Sequence, residues 1–218
     1  MKILKQLSIV LVISLTGCGI LTPSDRVKGS GVVKTEKRSL GSFTTLDVSC
    51  AGTIQVHSQA PDSFEISGDD NIVPLITTEV KNDTLYIRST KEYSPKDKLQ
   101  ITVAIRDLKR FAFAGAGEAD LSNISNDRLE LVLSGAGSFV ASGETKDADI
   151  SLSGAGSVDA KNLHAVNAKV NSTGVGSVDV YASGQLDAKA AGVGEINYYG
   201  NPKSVNKQAA GLGSINQK

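Results

Sequence analysis

Gly-x-Gly recurs six times through the second half of the chain, starting at Gly115, Gly135, Gly154, Gly174, Gly192 and Gly211, with steps of 20, 19, 20, 18 and 19 residues. A period in that range marks stacked repeats, in which each unit buries its apolar face only against its neighbours. Aligned on the first glycine, the units form columns. Two residues before it stand Phe113, Leu133, Leu152, Ser172, Ala190 and Ala209, and four before it Phe111, Leu131, Ile150, Val170, Ala188 and Lys207. Four after it come Ala119, Phe139, Val158, Val178, Ile196 and Ile215, and six after it Leu121, Ala141, Ala160, Val180, Tyr198 and Gln217. Steps of two on both sides of the glycines are strand periodicity. Each repeat reads as strand, glycine corner, strand and polar return.

The fold expected is all-β: a parallel β-helix or β-solenoid with coils of about 19–20 residues. An antiparallel meander with Gly-x-Gly hairpin turns uses the same strands and is the competing arrangement. Parallel coils are preferred because they stack like columns, such as Ser138, Ser157, Ser177 and Ser214, at strand spacing. Lys207 and Gln208 fall near the core columns of the last unit and read as a polar terminal cap. The middle residue grows from Ala116, Ala136 and Ala155 to Val175, Val193 and Leu212 while the position two before the pair shrinks, which suggests that the two share one interior volume. The first half is β but less regular, alternating at Leu46/Val48, Ile54/Val56, Phe64/Ile66, Leu85/Ile87 and Leu99/Ile101/Val103/Ile105. Asp70 to Val80 lacks period two and reads as a short helix or an irregular crossing.

Aromatic residues make up only 5% of the chain and Trp is absent, while Gly numbers 22. Thin β layers with a narrow interior need few large side chains; a compact enzyme of this length usually carries more. With Lys2 and Lys5 removed, the 23 basic residues become 21 against 23 acidic ones. That balance excludes the basic footprint of a nucleic-acid binder.

Residues 1–17 read as a signal peptide: Lys2 and Lys5 precede an apolar run from Leu7 to Leu15 that is too short to span a bilayer. Leu15-Thr16-Gly17-Cys18 resembles a bacterial lipobox, which makes Cys18 the expected lipid attachment site, cut free at its N-terminal side. Gly19, by resemblance to enterobacterial sorting, points to the outer membrane. Two or more acyl chains anchor stably where one does not. The domain plan is then signal peptide 1–17, lipidated Cys18 and tether 18–28, and a solenoid head 29–218, irregular over 29–110 and regular over 111–218.

Cys50 is then the sole remaining thiol, sharing an apolar face with Leu46 and Val48. It reads as inert and buried, with a reactive thiol as the other reading. The glycine pairs fail the dinucleotide fingerprint, since the third glycine is replaced by Asp120, Val140, Asp159, Asp179, Asn197 and Asn216. That polar column should face solvent, as a solvated row or as a weak calcium site. His57 and His164, the only histidines, match no metal motif and read as surface residues. A polysaccharide lyase or hydrolase on the same scaffold would draw on Asp120, Asp159, Asp179, Lys161 and Lys189. No cofactor and no metal is expected.

Gly29-Ser30-Gly31, Phe43-x-x-Leu46-x-Val48, Gly52-Thr53-Ile54-x-Val56, Asp70-Asn71-Ile72, Thr84-Leu85-Tyr86-Ile87 and the Gly-Ala-Gly units resemble, in order and spacing, the head-GIN adhesin family of bacterial envelope proteins. The resemblance covers roughly residues 29–218. It implies a β-helical fold, frequent lipid anchoring and an adhesive role, and it offers no catalytic residues to carry over. Cys50 departs from the small residue such a pattern carries there. The function expected is a non-catalytic binding, adhesion or structural module on the envelope, with a glycan or an envelope protein as ligand. The polysaccharide-active enzyme is the alternative. Exposed sheet edges leave room for an oligomer.

Overall fold

The computed structural model describes residues 26–218; the expected signal segment 1–17, Cys18 and residues 19–25 lie outside the described residues. In chain order the elements are β1 (Val27–Lys28), β2 (Val33–Lys37), β3 (Thr45–Ser49), β4 (Ala51–Ser58), β5 (Ser63–Asp69), a 3-10 turn at Val73–Leu75, β6 (Ile76–Lys81), β7 (Thr84–Ser89), β8 (Tyr93–Ser94) and β9 (Gln100–Ile105). There follow β10 (Arg110–Phe113), β11 (Ala116–Leu133), β12 (Ala136–Leu152), β13 (Ala155–Ser172), β14 (Val175–Ala190), β15 (Val193–Tyr199), β16 (Ser204–Ala209) and β17 (Leu212–Gln217). Strand makes up 72% of the structure and winds into a β-solenoid of about 5 turns. Asp70 to Val80 resolves into the 3-10 turn followed by β6, so its second half is strand.

Every pairing among the regular coils is parallel, which settles the arrangement against the meander. The expected columns are literal: Ala119 pairs with Phe139, Phe139 with Val158, Val158 with Val178, Val178 with Ile196, and Ile196 with Ile215. The polar return is strand as well. β11 runs unbroken from one glycine corner towards the next, bending at a register shift between Leu121 and Ile124. The columns before and after the glycines face each other across one interior, where Phe111 meets Phe139 edge to face at 5.7 Å and lies 6.1 Å from Phe113. All three rings are fully buried.

Close backbone approach, more than turn geometry alone, demands the glycines. A Cβ on Gly154 would lie 2.0 Å from the carbonyl oxygen of Gly135 in the preceding coil. One on Gly156, which has φ +148°, would lie 1.6 Å from that of Gly137. The residue between the two glycines turns outward, contrary to the shared-volume expectation. Val175, Val193 and Leu212 are exposed, whereas Leu133, Leu152, Ser172 and Ala190 at the position two before the pair are buried. Opposite sides of the wall hold the two columns, so their sizes are not coupled by packing.

The irregular half contains coils that the sequence conceals. Ala51 pairs with Ala116 and Gly52 with Gly117, so Cys50-Ala51-Gly52 is an earlier corner of the same series with Cys in place of the first glycine. Leu46 and Val48 pair with Phe111 and Phe113, completing that coil. β7 and β9 form the next coil outward, pairing with β3 and β4. Stack order therefore departs from chain order: the chain builds β3–β4, moves outward to β7–β9, then returns to lay β10–β11 on the other side. At that end β2 and β6 close the walls by antiparallel pairing with β5 and β7. The Arg38 guanidinium ties this cap together, donating to the carbonyl oxygens of Ile76 (2.7 Å) and Val73 (3.4 Å). Val27–Lys28, within the expected tether, pairs with Tyr93–Ser94.

Candidate functional site

The wall formed by the later part of each coil carries two outward rows in register. Arg128, Asp147, Asn167 and Gln185 form one; Glu130, Asp149, Lys169 and Asp187 form the other. Between them runs an inward column of Leu129, Ala148, Ala168 and Leu186. The two central coils carry Ala where the flanking ones carry Leu. On the outer face of this wall lies a cleft of about 320 Å³ lined by the whole of the first row, by Asp149, Lys169 and Asp187 of the second, and by Ala148 and Ala168. A second hollow of about 340 Å³, lined by Asp107, Lys109, Arg110, Asn126, Asp127, Arg128 and Glu130, adjoins it and shares Arg128.

Several of these side chains are held by neighbours. Asn167 donates through Nδ2 to Asp147 Oδ1 at 2.8 Å. Asn126 donates to the Leu108 carbonyl (2.6 Å) and accepts from Thr145 Oγ1 (2.7 Å). Arg110 meets Glu130 at 3.0 Å and Lys169 meets Asp149 at 3.9 Å. Arg128, at the junction of the hollows, is exposed and makes no hydrogen bond or ion pair among the described residues. Carboxylates, amides and a free guanidinium on rigid strands form two parallel lines of donors and acceptors. Such a surface suits a polymer that offers hydroxyl or amide groups at regular intervals.

The Asp120–Asn216 column is a single row, as expected, and its last three members are linked by side-chain hydrogen bonds while Asp159 pairs with Lys161 beside it. Lys161 Nζ lies 2.7 Å from Asp159 Oδ2, and this bond and attraction raise the lysine's pKa. Asn197 is buried, contrary to a fully solvated row, and donates to Asp179 Oδ1 at 3.0 Å; Asn216 reaches Asn197 Oδ1 at 3.5 Å. Asp159 and Asp179 remain direct neighbours on adjacent coils, with the Lys161 ammonium beside them and the amides of Asn197 and Asn216 beyond. Among the described residues no group of three His, Cys, Asp or Glu side chains is placed to hold a metal ion. Of the residues the enzymatic alternative would draw on, Asp159, Asp179 and Lys161 lie together, Asp120 is set off from them by Val140, and Lys189 lies in the row Asn171–Lys189–Gln208 ahead of the corner. His57 Nδ1 is 2.9 Å from Ser122 Oγ, and His164 stacks on Tyr181 at 4.6 Å between centroids, so the histidines occupy separate coils.

Cys50 is buried, and burial pushes its thiol up to about 12. Its neighbour Tyr93 accepts from the Ala51 N–H at 2.9 Å and donates to the Ala51 carbonyl. Asp69, which the sequence did not single out, is fully buried. It accepts from the backbone N–H of Gly31 (2.6 Å), Lys96 (2.9 Å) and Asp97 (3.2 Å). Burial raises its pKa, and those three donors outweigh that and hold it low. Beside it, Ser30 Oγ meets Asp70 Oδ1 at 2.6 Å and Asn71 Oδ1 accepts from the Ser30 N–H at 2.9 Å. The paired motifs Gly-Ser-Gly and Asp-Asp-Asn thus fasten the start of the head. The signal available was their joint presence, 38 to 41 residues apart.

The sequence over residues 42–202 matches the family described as putative auto-transporter adhesin, head GIN domain. The fold is similar to that of a putative adhesin from Bacteroides fragilis, with a TM-score of 0.74 and 26% identity over 88% of this chain and 100% of that one. A putative lipid binding protein from Parabacteroides distasonis (TM-score 0.50, 22% identity, 88% of this chain, 99% of that one) shares the fold. So does a putative adhesin from the same species (TM-score 0.50, 21% identity, 89% of this chain, 100% of that one). No curated protein matches the sequence. With most of the chain covered by the family match, and the glycine-cornered coils in place, the protein belongs to the family described as putative auto-transporter adhesin, head GIN domain.

Proposed function

We propose that the chain is a non-catalytic binding module of the outer membrane, anchored through a lipidated Cys18 after removal of residues 1–17. Its ligand is an extended glycan lying along the cleft. The observation that carries this reading is the pair of in-register polar rows flanking the hollow at Ala148 and Ala168. Strands held on both sides by neighbouring coils present these groups without the entropy cost of ordering a loop. The anchor would confine the head to a surface and raise its effective concentration towards a ligand on the same surface.

The test is a glycan array with the purified full-length protein in detergent, each bound glycan then weighed by mass spectrometry. Saturable binding of intact glycan is expected, with Arg128→Ala and Asp147→Ala each weakening it about tenfold. Shortened or unsaturated products would replace the binding reading with an enzymatic one. Binding unaffected by both substitutions would remove the cleft from the account. A complete lack of glycan binding would leave an envelope protein as the ligand class to pursue.

A further inference from the structure

The two ends of the solenoid are built differently. At the Val27 end, antiparallel strands and the Arg38 bonds close the walls, and β2 carries charges of both signs in Lys34, Glu36 and Lys37. At the other end, among the described residues, β16 is hydrogen-bonded only to β14 and β17 only to β15, so each presents one unpaired edge of N–H and C=O groups. Every residue of β16 is exposed, and Leu212 on β17 is 79% exposed. Residues 196–218 contain Lys203, Lys207 and Lys218 and no Asp or Glu. Lys207 stands in a core column, with its Nζ 4.4 Å from the centroid of the Tyr198 ring at the mouth of the last coil.

We propose that this terminal edge is a docking site for an extended acidic segment of a partner protein, which adds as one more strand alongside β16 or β17. Unpaired edge amides and carbonyls favour a strand, since main-chain hydrogen bonds supply affinity and alternate side chains supply choice. The charge selects the partner. A second copy docked tail to tail would set three lysines against three, so the edge rejects its own kind while attracting acidic side chains. An anionic membrane surface meets the charge but not the row of directional backbone groups. The inference is independent of the cleft, which lies on the wall and uses none of these residues.

The probes are two fluorescein-labelled, end-capped octapeptides, one alternating Val and Glu and one alternating Val and Lys, read by fluorescence anisotropy against the full-length protein in detergent. Amide hydrogen exchange is followed in parallel. The Val–Glu peptide is expected to bind and to slow exchange across 204–217. Joint substitution Lys203→Glu and Lys207→Glu should weaken it about tenfold. The milder pair Lys203→Gln and Lys207→Gln, checked for unchanged circular dichroism, should give a smaller loss. Equal binding of the Val–Lys peptide, protection confined to other strands, or no binding at millimolar peptide overturns the proposal. It also fails if the same lysines govern binding to phosphatidylglycerol vesicles while the peptide stays free, because the surface would then be a membrane contact.

Discussion

At Gly156 a single hydrogen atom is all the preceding coil leaves room for. Replacing it with Ala combines a strained positive φ with a clash against backbone that is itself held in the ladder, so Gly156→Ala should destabilise by about 3 kcal/mol. Chemical denaturation followed by circular dichroism measures this; a loss below about 0.5 kcal/mol would show that the coils can part. Cys50 should resist iodoacetamide at pH 8 while the head is folded and react at once in denaturant, since a thiol pushed up to about 12 carries almost no thiolate there. Rapid labelling of the folded protein would overturn the buried, inert assignment. Asp69 gives a pH signature. Its folded pKa is depressed, so its stabilising effect is present above the unfolded carboxyl value of about 4 and disappears as pH falls through the folded value. Between neutral pH and pH 3 the wild type should lose more thermal stability than Asp69→Asn, which should start lower. Parallel pH profiles would rule out the carboxylate as the fastening point.

At the scale of one coil, what the sequence discloses depends on which group does the work. The regular repeats were legible because Gly is forced at the corner and apolar residues are forced inward, so both leave periodic marks. Cys50-Ala51-Gly52 is hidden in the sequence because one corner position tolerates Cys, which breaks the Gly-x-Gly pattern while the columns of Leu46, Val48, Ile54 and Val56 persist. The cleft was not legible for a different reason. Its lining residues Arg128, Asp147, Asn167 and Gln185 lie on four coils a repeat apart in the sequence, and they become neighbours only once register is known. Asp147 and Arg128 look like any solvated charges until that hollow gathers them. The interior of a coil should respond strongly to truncation. Phe139→Ala removes the ring that meets Phe111 edge to face and should cost about 3–5 kcal/mol in an unfolding titration. A cost under about 1 kcal/mol would mean that the coils collapse to refill the space.

Taken whole, the head is nearly one-dimensional, and its stability should resemble a sum of coil and interface contributions. Excising residues 135–153 joins Ser134 directly to Gly154 and preserves every column. The shortened protein should keep its β circular dichroism and unfold at a somewhat lower temperature. Excising ten residues instead shifts every column out of phase and should abolish folding. If both deletions behave alike, register is not what holds the stack.

The departure of stack order from chain order bears on how the molecule comes into being. β3 and β4 are the first full coil in sequence, yet they lie beneath coils on both sides. A chain emerging amino end first would complete that layer, and its outer cover of β7 and β9, before any regular coil exists. Each later segment would then meet a ready-made row of backbone partners and need only copy it. Growth from such a primer runs in one direction and avoids the long search that parallel pairing otherwise imposes.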